Sequence, residues 1–307
     1  MSTRQNEPNN MTSIINYSKD ACIRTDVTGF GVPFQDITCL YPALGKITTH
    51  WENNYNVNTI LIWMIGHPMV PIITAAMYLA VVAVGPMLMK QREAMNWRKS
   101  MAIWNLSISL FSAIGFTRVL PQLLHNYATA GVRHNFCADP LESYGQATTG
   151  LWVCLFVLSK FPELIDTFFL VVHKKPAIFL HWYHHVSVLL YCWNSYTVKT
   201  STGLIFCTMN YAVHSIMYFY YFLVAVKKRP KGLNPMCITY VQIAQMFVGV
   251  AVTFFSIYYK SSDHENTCIG LSQQNNLAAF MMYCSYLFLF VQFFVRRYFA
   301  IRTKKLA

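Results

Sequence analysis

LHWYHHVSVLLYCW, residues 180–193, places three histidines inside an apolar stretch close to the length of a membrane span. His181, His184 and His185 stand at positions i, i+3 and i+4, so a helix would carry them on one face. The surrounding stretch 152–218 also places the following polar residues within its apolar runs: Lys160, Glu163, Asp166, Thr167, Asn210 and His214. A charged side chain at bilayer depth costs about 2.5–3.5 kcal/mol, so this number of polar groups predicts a reaction centre or a transport path inside a helical bundle.

The composition is that of a membrane protein. Of the 307 residues, 55% are hydrophobic and only 12% are charged, whereas soluble domains carry about 25% charged residues. A spanning helix needs about 20 mostly apolar residues. Seven runs approach that length, at residues 72–89, 102–124, 151–172, 178–193, 204–226, 237–259 and 277–295. We therefore predict an all-α membrane protein with seven transmembrane helices and no strand, because lipid does not tolerate an open sheet edge.

The distribution of charge predicts how the chain is oriented. More than half of the 24 Lys and Arg fall in four segments between or after the predicted spans, at residues 90–99, 173–175, 227–231 and 296–305. Basic loops favour the cytosolic side, so we predict a lumenal N-terminus and a cytosolic C-terminus. Topology alone explains these loops about as well as docking of a polyanionic nucleotide such as CoA. Nucleic acid is not expected as a partner, because no basic patch is interleaved with aromatic residues on a soluble module.

The two ends of the chain indicate where the protein resides. We predict a lumenal segment that is partly disordered, a transmembrane domain and a cytosolic tail, at residues 1–58, 59–300 and 301–307. Asn10 and Asn16 are N-glycosylation acceptors on the predicted lumenal side. Lys304 and Lys305 form a dilysine retrieval pattern at the C-terminus, which predicts a multi-pass protein of the endoplasmic reticulum membrane.

Three more sets of polar residues recur at helical spacing. The first is Lys160, Glu163, Asp166 and Thr167, on the span before the histidines, where Pro162 predicts a kink whose freed groups neighbouring helices can satisfy. The second lies on the span after the histidines and consists of Asn210, His214, Met217, Tyr218 and Tyr221. Interhelical hydrogen bonding explains the third set, Gln242 and Gln245, most simply. Three histidines beside an acid–lysine stripe favour chemistry instead.

Three kinds of function fit such a core. A membrane di-iron desaturase or hydroxylase shares the HxxHH spacing but needs several histidine boxes, and four of the ten histidines fall in predicted lumenal segments: His50, His125, His134 and His264. Four of the remaining six histidines, together with Asp166 and Glu163, could still bind one metal ion. Neutral imidazole can instead attack a thioester, with a carboxylate on a facing helix fixing its tautomer. A lipid or ion carrier would use the same polar core without CoA-dependent turnover.

The order and spacing of these blocks resemble the ELO family of membrane fatty-acid elongases. The matching blocks are Lys160-x-x-Glu163-x-x-Asp166-Thr167, His181-x-x-His184-His185, Asn210-Tyr211, His214-x-x-Met217-Tyr218 and Thr239-Tyr240-x-Gln242. The resemblance covers about residues 97–298, and residues 180–193 look most similar to the branch that acts on saturated and monounsaturated acyl chains.

The resemblance implies a condensing enzyme, a very-long-chain 3-oxoacyl-CoA synthase. It would join an acyl-CoA to malonyl-CoA, release CO2 and CoA, and need no metal or other cofactor. Six of the seven helices would enclose a substrate tunnel. His184 would carry the acyl group, with His214 beside it and with His181 and His185 orienting groups or shuttling protons. The resemblance implies that three further residues support catalysis: Glu163, Asp166 and Asn210. It implies that six residues bind substrate: Lys160, Thr167, Tyr211, Tyr218, Gln242 and Gln245.

The resemblance also implies partners and a disulfide. The partners are the lipid bilayer and the ketoacyl reductase, dehydratase and enoyl reductase of the elongation cycle. Cys137 and Cys268 would bridge the two long lumenal connectors, with Cys22 and Cys39 as competitors in the same compartment. The preferred acyl chain and the formation of a homo-oligomer are left open.

Overall fold

The computed structural model of the protein describes residues 17–18, 22–24 and 34–299. The predicted glycosylation sites Asn10 and Asn16 and the dilysine pattern at Lys304 and Lys305 lie outside the described residues.

A small antiparallel ribbon precedes the first helix. Its three strands are two residues long and pair in the order β1-β2-β3: β1 (Tyr17–Ser18), β2 (Ile23–Arg24) and β3 (Phe34–Gln35). Tyr17 lies opposite Arg24 in the register, and a disulfide joins Cys22 to Cys39. The prediction of no strand is wrong here. The reason for expecting no strand applies to backbone in lipid, whereas the ribbon lies in the polar sequence that comes before the apolar helices.

Helices joined by short connectors make up the rest of the described chain. Four short helices come first: α1 (Ile37–Leu40), α2 (Pro42–Gly45), α3 (His50–Asn53) and α4 (Asn58–Gly66). Ten more follow: α5 (Met69–Leu88), α6 (Arg98–Thr129), α7 (Gly131–Cys137), α8 (Pro140–Ser143), α9 (Ala147–Ser159), α10 (Ile165–Val172), α11 (Phe179–Thr197), α12 (Gly203–Ala225), α13 (Pro235–Ser261) and α14 (Gln273–Phe294). A 3-10 turn, Pro162–Leu164, lies between α9 and α10, and a π-helical turn, Val295–Phe299, extends α14.

Four of the described helices are long and apolar enough to cross a membrane. They are α5, α6, α13 and α14 with its π-helical extension. The predicted spans at 151–172, 178–193 and 204–226 are helical as well, in α9–α10, α11 and α12, but they do not reach the length or apolar character of the other four. Polar residues and Pro162 interrupt them. The structure therefore shows a helical membrane protein, and the count of seven spans stays a prediction.

The span around Pro162 is broken rather than continuous. α9 ends at Ser159, and the chain passes through the 3-10 turn before α10 begins at Ile165. Proline has no N–H to donate, and its ring clashes with the carbonyl group one turn earlier, so an unbroken α-helix is unfavourable here. The amide nitrogen of Leu164 bonds instead to the carbonyl oxygen of Phe161 at 3.2 Å. The break turns Lys160 and Glu163 towards each other.

Helices α6 and α12 pack together along most of their length. Small residues of α6 allow this close approach. Ser109 Oγ donates to the carbonyl oxygen of Ser215 at 2.8 Å. Gly115 leaves room for the ring of Tyr211, since a Cβ atom at Gly115 would meet that ring at 2.5 Å. The pair forms one wall of the bundle.

The bundle has two chemically different ends. At the disulfide end, Cys137, the last residue of α7, is bonded to Cys268 in the connector between α13 and α14. Asp263 there accepts hydrogen bonds from the amide nitrogen of Cys268 at 2.6 Å and from Arg133 at 3.3 Å. The bond from Cys268, more than any other, holds the pKa of Asp263 below its ordinary value. The opposite end, here called the basic end, carries the lysines that follow α10 and α12: Lys174, Lys175, Lys227 and Lys228.

Candidate active site

A cavity of about 460 Å³ lies between the middle of the bundle and the basic end. Its walls come from α6, the Pro162 turn with α10, and α11 to α14, whereas α5 contributes no lining residue. All seven predicted catalytic residues line it: Glu163, Asp166, His181, His184, His185, Asn210 and His214. Three of the predicted substrate-binding residues also line it: Tyr218, Gln242 and Gln245. Separate helices thus bring the polar residues of four sequence blocks into one space.

The three histidines of α11 form a continuous cluster of rings. The ring centroids of His181 and His185 are 4.5 Å apart, and those of His184 and His185 are 5.5 Å apart. His185 is buried, and its Nδ1 has no hydrogen-bond partner among the described residues. The side chain of His184 makes no hydrogen bond to any described residue, and its ring packs 5.1 Å from that of Tyr286. Both ring nitrogens of His184 are therefore available to a substrate.

The Pro162 turn builds an acid–base cluster beside these rings. Lys160 Nζ donates to Glu163 Oε1 at 2.7 Å and to Asn210 Oδ1 at 3.2 Å. Ser159 Oγ donates to the same Glu163 oxygen at 3.0 Å, and His214 Nδ1 lies 3.8 Å from it. Glu163 is only 3% exposed, and its Oε2 has no partner in the described part of the chain. Lys160 therefore compensates the buried carboxylate, and one oxygen of this cavity-lining residue is left without a described partner.

Asp166 is held by two aromatic side chains. Trp104 Nε1 donates to Asp166 Oδ1 at 2.7 Å, and the hydroxyl of Tyr218 donates to Oδ2. Tyr218 was among the predicted site residues, but Trp104 of α6 was missed. A tryptophan inside a span needs an acceptor for its N–H, yet its sequence position does not identify the acceptor.

Three residues predicted to bind substrate do not line the cavity. Lys160 is buried behind Glu163, with Nζ 4.3 Å from the ring centroid of Phe156. Thr167 is fully buried and bonds to His181. The hydroxyl of Tyr211 donates to the carbonyl oxygen of Trp152 at 2.9 Å, because its ring fills the space that glycine leaves between α6 and α12. Lys160 and Thr167 support residues that line the cavity, and Tyr211 is part of the packing.

The two glutamines of α13 differ in their contacts. Gln242 Nε2 donates to the sulfur of Met217 on α12 at 3.1 Å. Gln245 is buried at the cavity wall. The contact of Gln242 is the interhelical bond that its sequence predicts, and both side chains also present amides to the cavity.

No group of three or more His, Cys, Asp and Glu among the described residues is arranged to hold a metal ion. The expectation that the protein needs no metal or other cofactor stays a prediction.

The fold and the site together define a helical membrane protein whose bundle encloses a cavity lined by histidines, carboxylates and amides. The family model described as ELO, GNS1/SUR4, matches residues 63–306. The chain belongs to this family, and the resemblance seen in the sequence is confirmed. The assignment to one branch of the family stays a prediction.

Several relatives match most of the chain. Fatty acid elongase 3 of Trypanosoma brucei brucei is 39% identical over 82% of this chain and 91% of its own length. Very long chain fatty acid elongase 6 of Drosophila melanogaster is 38% identical, covering 81% of this chain and 78% of the relative. The protein of the same name from Gallus gallus is 37% identical over 83% and 94% of the two chains.

Proposed function

We propose that this protein elongates fatty acids by condensing an acyl-CoA with malonyl-CoA to a 3-ketoacyl-CoA, with release of CO2 and CoA. The observation that carries the proposal is His184, whose ring nitrogens are free, in the same cavity as the unpartnered oxygen of Glu163. The names of the relatives, which describe fatty acid elongases, support the same reaction class.

In the first half-reaction, a nitrogen of neutral His184 attacks the thioester carbon of the acyl-CoA. The new C–N bond replaces the C–S bond, and the proton lost from the imidazole leaves on the CoA thiol. Imidazole is a competent nucleophile for this step. Glu163 Oε1 and His214 Nδ1 lie 3.8 Å apart, so a small approach of the two side chains or one intervening water would let them pass that proton across the site.

In the second half-reaction, malonyl-CoA loses CO2 and becomes an enolate. The enolate carbon attacks the acyl group, the C–N bond to His184 breaks, and the imidazole regains a proton from solvent. Decarboxylation supplies the carbanion, so no strong base is needed. The developing oxyanion needs fixed donors in a site with little water, and the Asn210 amide and the imidazole of His214 line the cavity for that role.

The cavity's position relative to the basic end suits a CoA thioester. His173 and Lys175 line the cavity at this end, where positive charge attracts the phosphates of a nucleotide. We place this end in the cytosol and the disulfide end in the lumen of the endoplasmic reticulum, since basic loops favour the cytosolic side.

The test is the covalent intermediate. Purified protein mixed with acyl-CoA alone should release about one CoA per chain before malonyl-CoA is added, and mass spectrometry should find the acyl group on His184. His184→Ala should abolish the burst and the product. The control is His264→Ala, at an exposed histidine near the disulfide end, and this variant should retain both. An adduct on another residue, or kinetics of a ternary complex without an acyl-enzyme, would remove this role from His184. Absence of any CoA-dependent turnover would overturn the condensation and favour a carrier.

Metal content provides a separate test against the desaturase alternative. We expect active protein to contain no stoichiometric transition metal and to tolerate chelators. Elemental analysis that finds about one or two irons per chain, with activity lost on chelation, would contradict the proposed reaction.

A further inference from the structure

Tyr78 is connected to the histidine cluster although its helix, α5, lines no part of the cavity. Its hydroxyl lies 2.8 Å from Thr167 Oγ1, which in turn lies 2.8 Å from His181 Nε2. Tyr78 is 5% exposed and Thr167 is 0% exposed. The three side chains therefore form a hydrogen-bond chain that water cannot replace.

The chain can run in two directions, and burial distinguishes them. If Tyr78 donates to Thr167, then Thr167 donates to His181 Nε2, and both buried hydroxyl protons are used. If His181 Nε2–H donates to Thr167, the only described acceptor left for the Thr167 proton is the oxygen of Tyr78, so either the threonine proton or the tyrosine proton has no acceptor among the described residues. A buried donor without a partner is costly, whereas a spare lone pair on a phenol oxygen costs little.

We propose that Thr167 is a positioning residue that holds His181 in the neutral tautomer with its proton on Nδ1, because donation to Nε2 leaves no buried hydroxyl proton unpaired. Tyr78 supports this arrangement from α5 by donating to Thr167 Oγ1. No described residue bonds to Nδ1, so Nδ1–H is the donor that His181 can offer to the cavity it lines.

The consequence for chemistry rests on the proposed condensation. With its proton on Nδ1, His181 can donate a hydrogen bond to an oxygen that develops negative charge during acyl transfer. In the other tautomer the same nitrogen could only accept. The hydroxyl of a residue outside the cavity therefore decides whether one of the three clustered histidines is a donor or an acceptor.

The tautomer can be measured directly. Full-length protein with ring-labelled histidine, reconstituted in lipid nanodiscs, gives ring nitrogen and carbon chemical shifts that differ between the two neutral tautomers, and the His181 signal is assigned by its loss in His181→Asn. In the unmutated protein the proton should be on Nδ1. In Thr167→Val, Nε2 loses its donor and no described residue bonds to either ring nitrogen, so the Nε2–H form should rise to about half, and kcat should fall about twofold at unchanged KM. Tyr78→Phe leaves Nε2 as the acceptor of the Thr167 proton and should keep the Nδ1–H form.

Matched variants separate this effect from a general loss of packing. Thr208→Val makes the same change at a threonine of α12 that is 4% exposed, lies outside the cavity and donates to the carbonyl oxygen of Leu204 at 2.7 Å. It should leave the His181 signal unchanged. Thr167→Ser keeps the relay and should keep the Nδ1–H form, whereas Thr167→Val should lose the preference.

The inference is overturned if unmutated His181 carries its proton on Nε2 or on both nitrogens, or if Thr167→Val leaves the tautomer unchanged. The measurement on the unmutated protein decides even if Thr167→Val fails to fold. A missing condensation activity would instead overturn the proposed function and leave the tautomer result standing.

Discussion

Two buried acid–base pairs lie in different parts of the bundle: Glu52 with Arg118 towards the disulfide end, and Glu163 with Lys160 beside the cavity. Both carboxylates are nearly inaccessible, with 5% and 3% exposure. They differ in how many of their oxygens are bonded, and that difference separates a structural pair from a pair that belongs to the site.

Both oxygens of Glu52 are bonded. Oε2 accepts from the amide nitrogen of Thr49 at 2.6 Å, and Oε1 accepts from Trp152 Nε1 at 2.7 Å and from Arg118 Nε at 3.0 Å. Burial by itself raises the pKa of Glu52, but the bonds from Thr49, Trp152 and Arg118 outweigh it and hold the pKa below its ordinary value of 4.5. This carboxylate fastens α3 to α6 and α9.

Glu163 is bonded on one side only. Oε1 accepts from Ser159 and Lys160, while Oε2 is buried and unpartnered within the described chain. A buried polar atom without a partner is rare and needs an explanation. Because Glu163 lines the cavity, a substrate group or a water molecule is the natural partner of Oε2. Buried carboxylates in a membrane bundle can thus be sorted by their unused acceptor atoms.

The largest expected contrast is in turnover. Glu163→Gln should lower the rate of 3-ketoacyl-CoA formation about 10²- to 10⁴-fold, the range for loss of a group that handles protons. Glu52→Gln should leave the rate per folded molecule unchanged, because Glu52 lies outside the cavity. Rates at saturating acyl-CoA and malonyl-CoA, on protein that elutes as a single species, would check this. Equal losses in both variants would remove the distinction between the two carboxylates.

Double variants extend the contrast to stability. Lys160→Met alone leaves a buried carboxylate unpaired and should cost about 3–5 kcal/mol in unfolding free energy. Lys160→Met with Glu163→Gln should recover most of that stability but not the activity. The matched double variant, Arg118→Met with Glu52→Gln, should likewise recover most of the stability, and it should keep full activity. Thermal unfolding in detergent, beside the turnover assay, gives the two readouts, and recovery of activity in the Lys160 and Glu163 double variant would contradict a role for Glu163 in the reaction.

The two disulfides allow a comparison of loop size within the structural part of the molecule. The pairs close loops with sequence separations of 131 for Cys137–Cys268 and 17 for Cys22–Cys39. On the entropic model, replacing both cysteines by serine should cost about 5 kcal/mol for the large loop and about 3 kcal/mol for the small one. Unfolding temperatures measured without reductant would rank the two double variants. The reverse order would show that native contacts, rather than loop closure, dominate.

The smallest effect concerns acid. The folded pKa of Glu52 lies below its unfolded value, so its contribution to stability is fully present above the unfolded pKa and is lost as pH falls through the folded pKa. The stability difference between the unmutated protein and Glu52→Gln should therefore shrink as pH drops below about 4. Unfolding temperatures of both proteins from pH 6 to pH 3 would show this, and a constant difference would mean that ionisation of Glu52 contributes nothing.

Contacts that cross between helices are where prediction from sequence failed. Trp104 and Tyr78 bond to Asp166 and Thr167 from other helices, but both look like ordinary aromatic residues of an apolar span. Tyr211 belongs to a matching family block, yet it packs against Gly115 instead of lining the cavity. Which residues meet depends on where two helices cross, and a single sequence does not contain that information.

The sequence by itself determined the class of protein, the family and the polar faces of single helices. Apolar content decides membrane residence, and the spacing of His181, His184 and His185 along α11 places them on one face by helix geometry alone. Only the tertiary structure decided which acceptor atoms are used and which are left free. Glu52 and Glu163 are the same residue type in the sequence. They differ in the number of donors that lie within about 3 Å of each carboxylate, and that number depends on how the whole bundle packs.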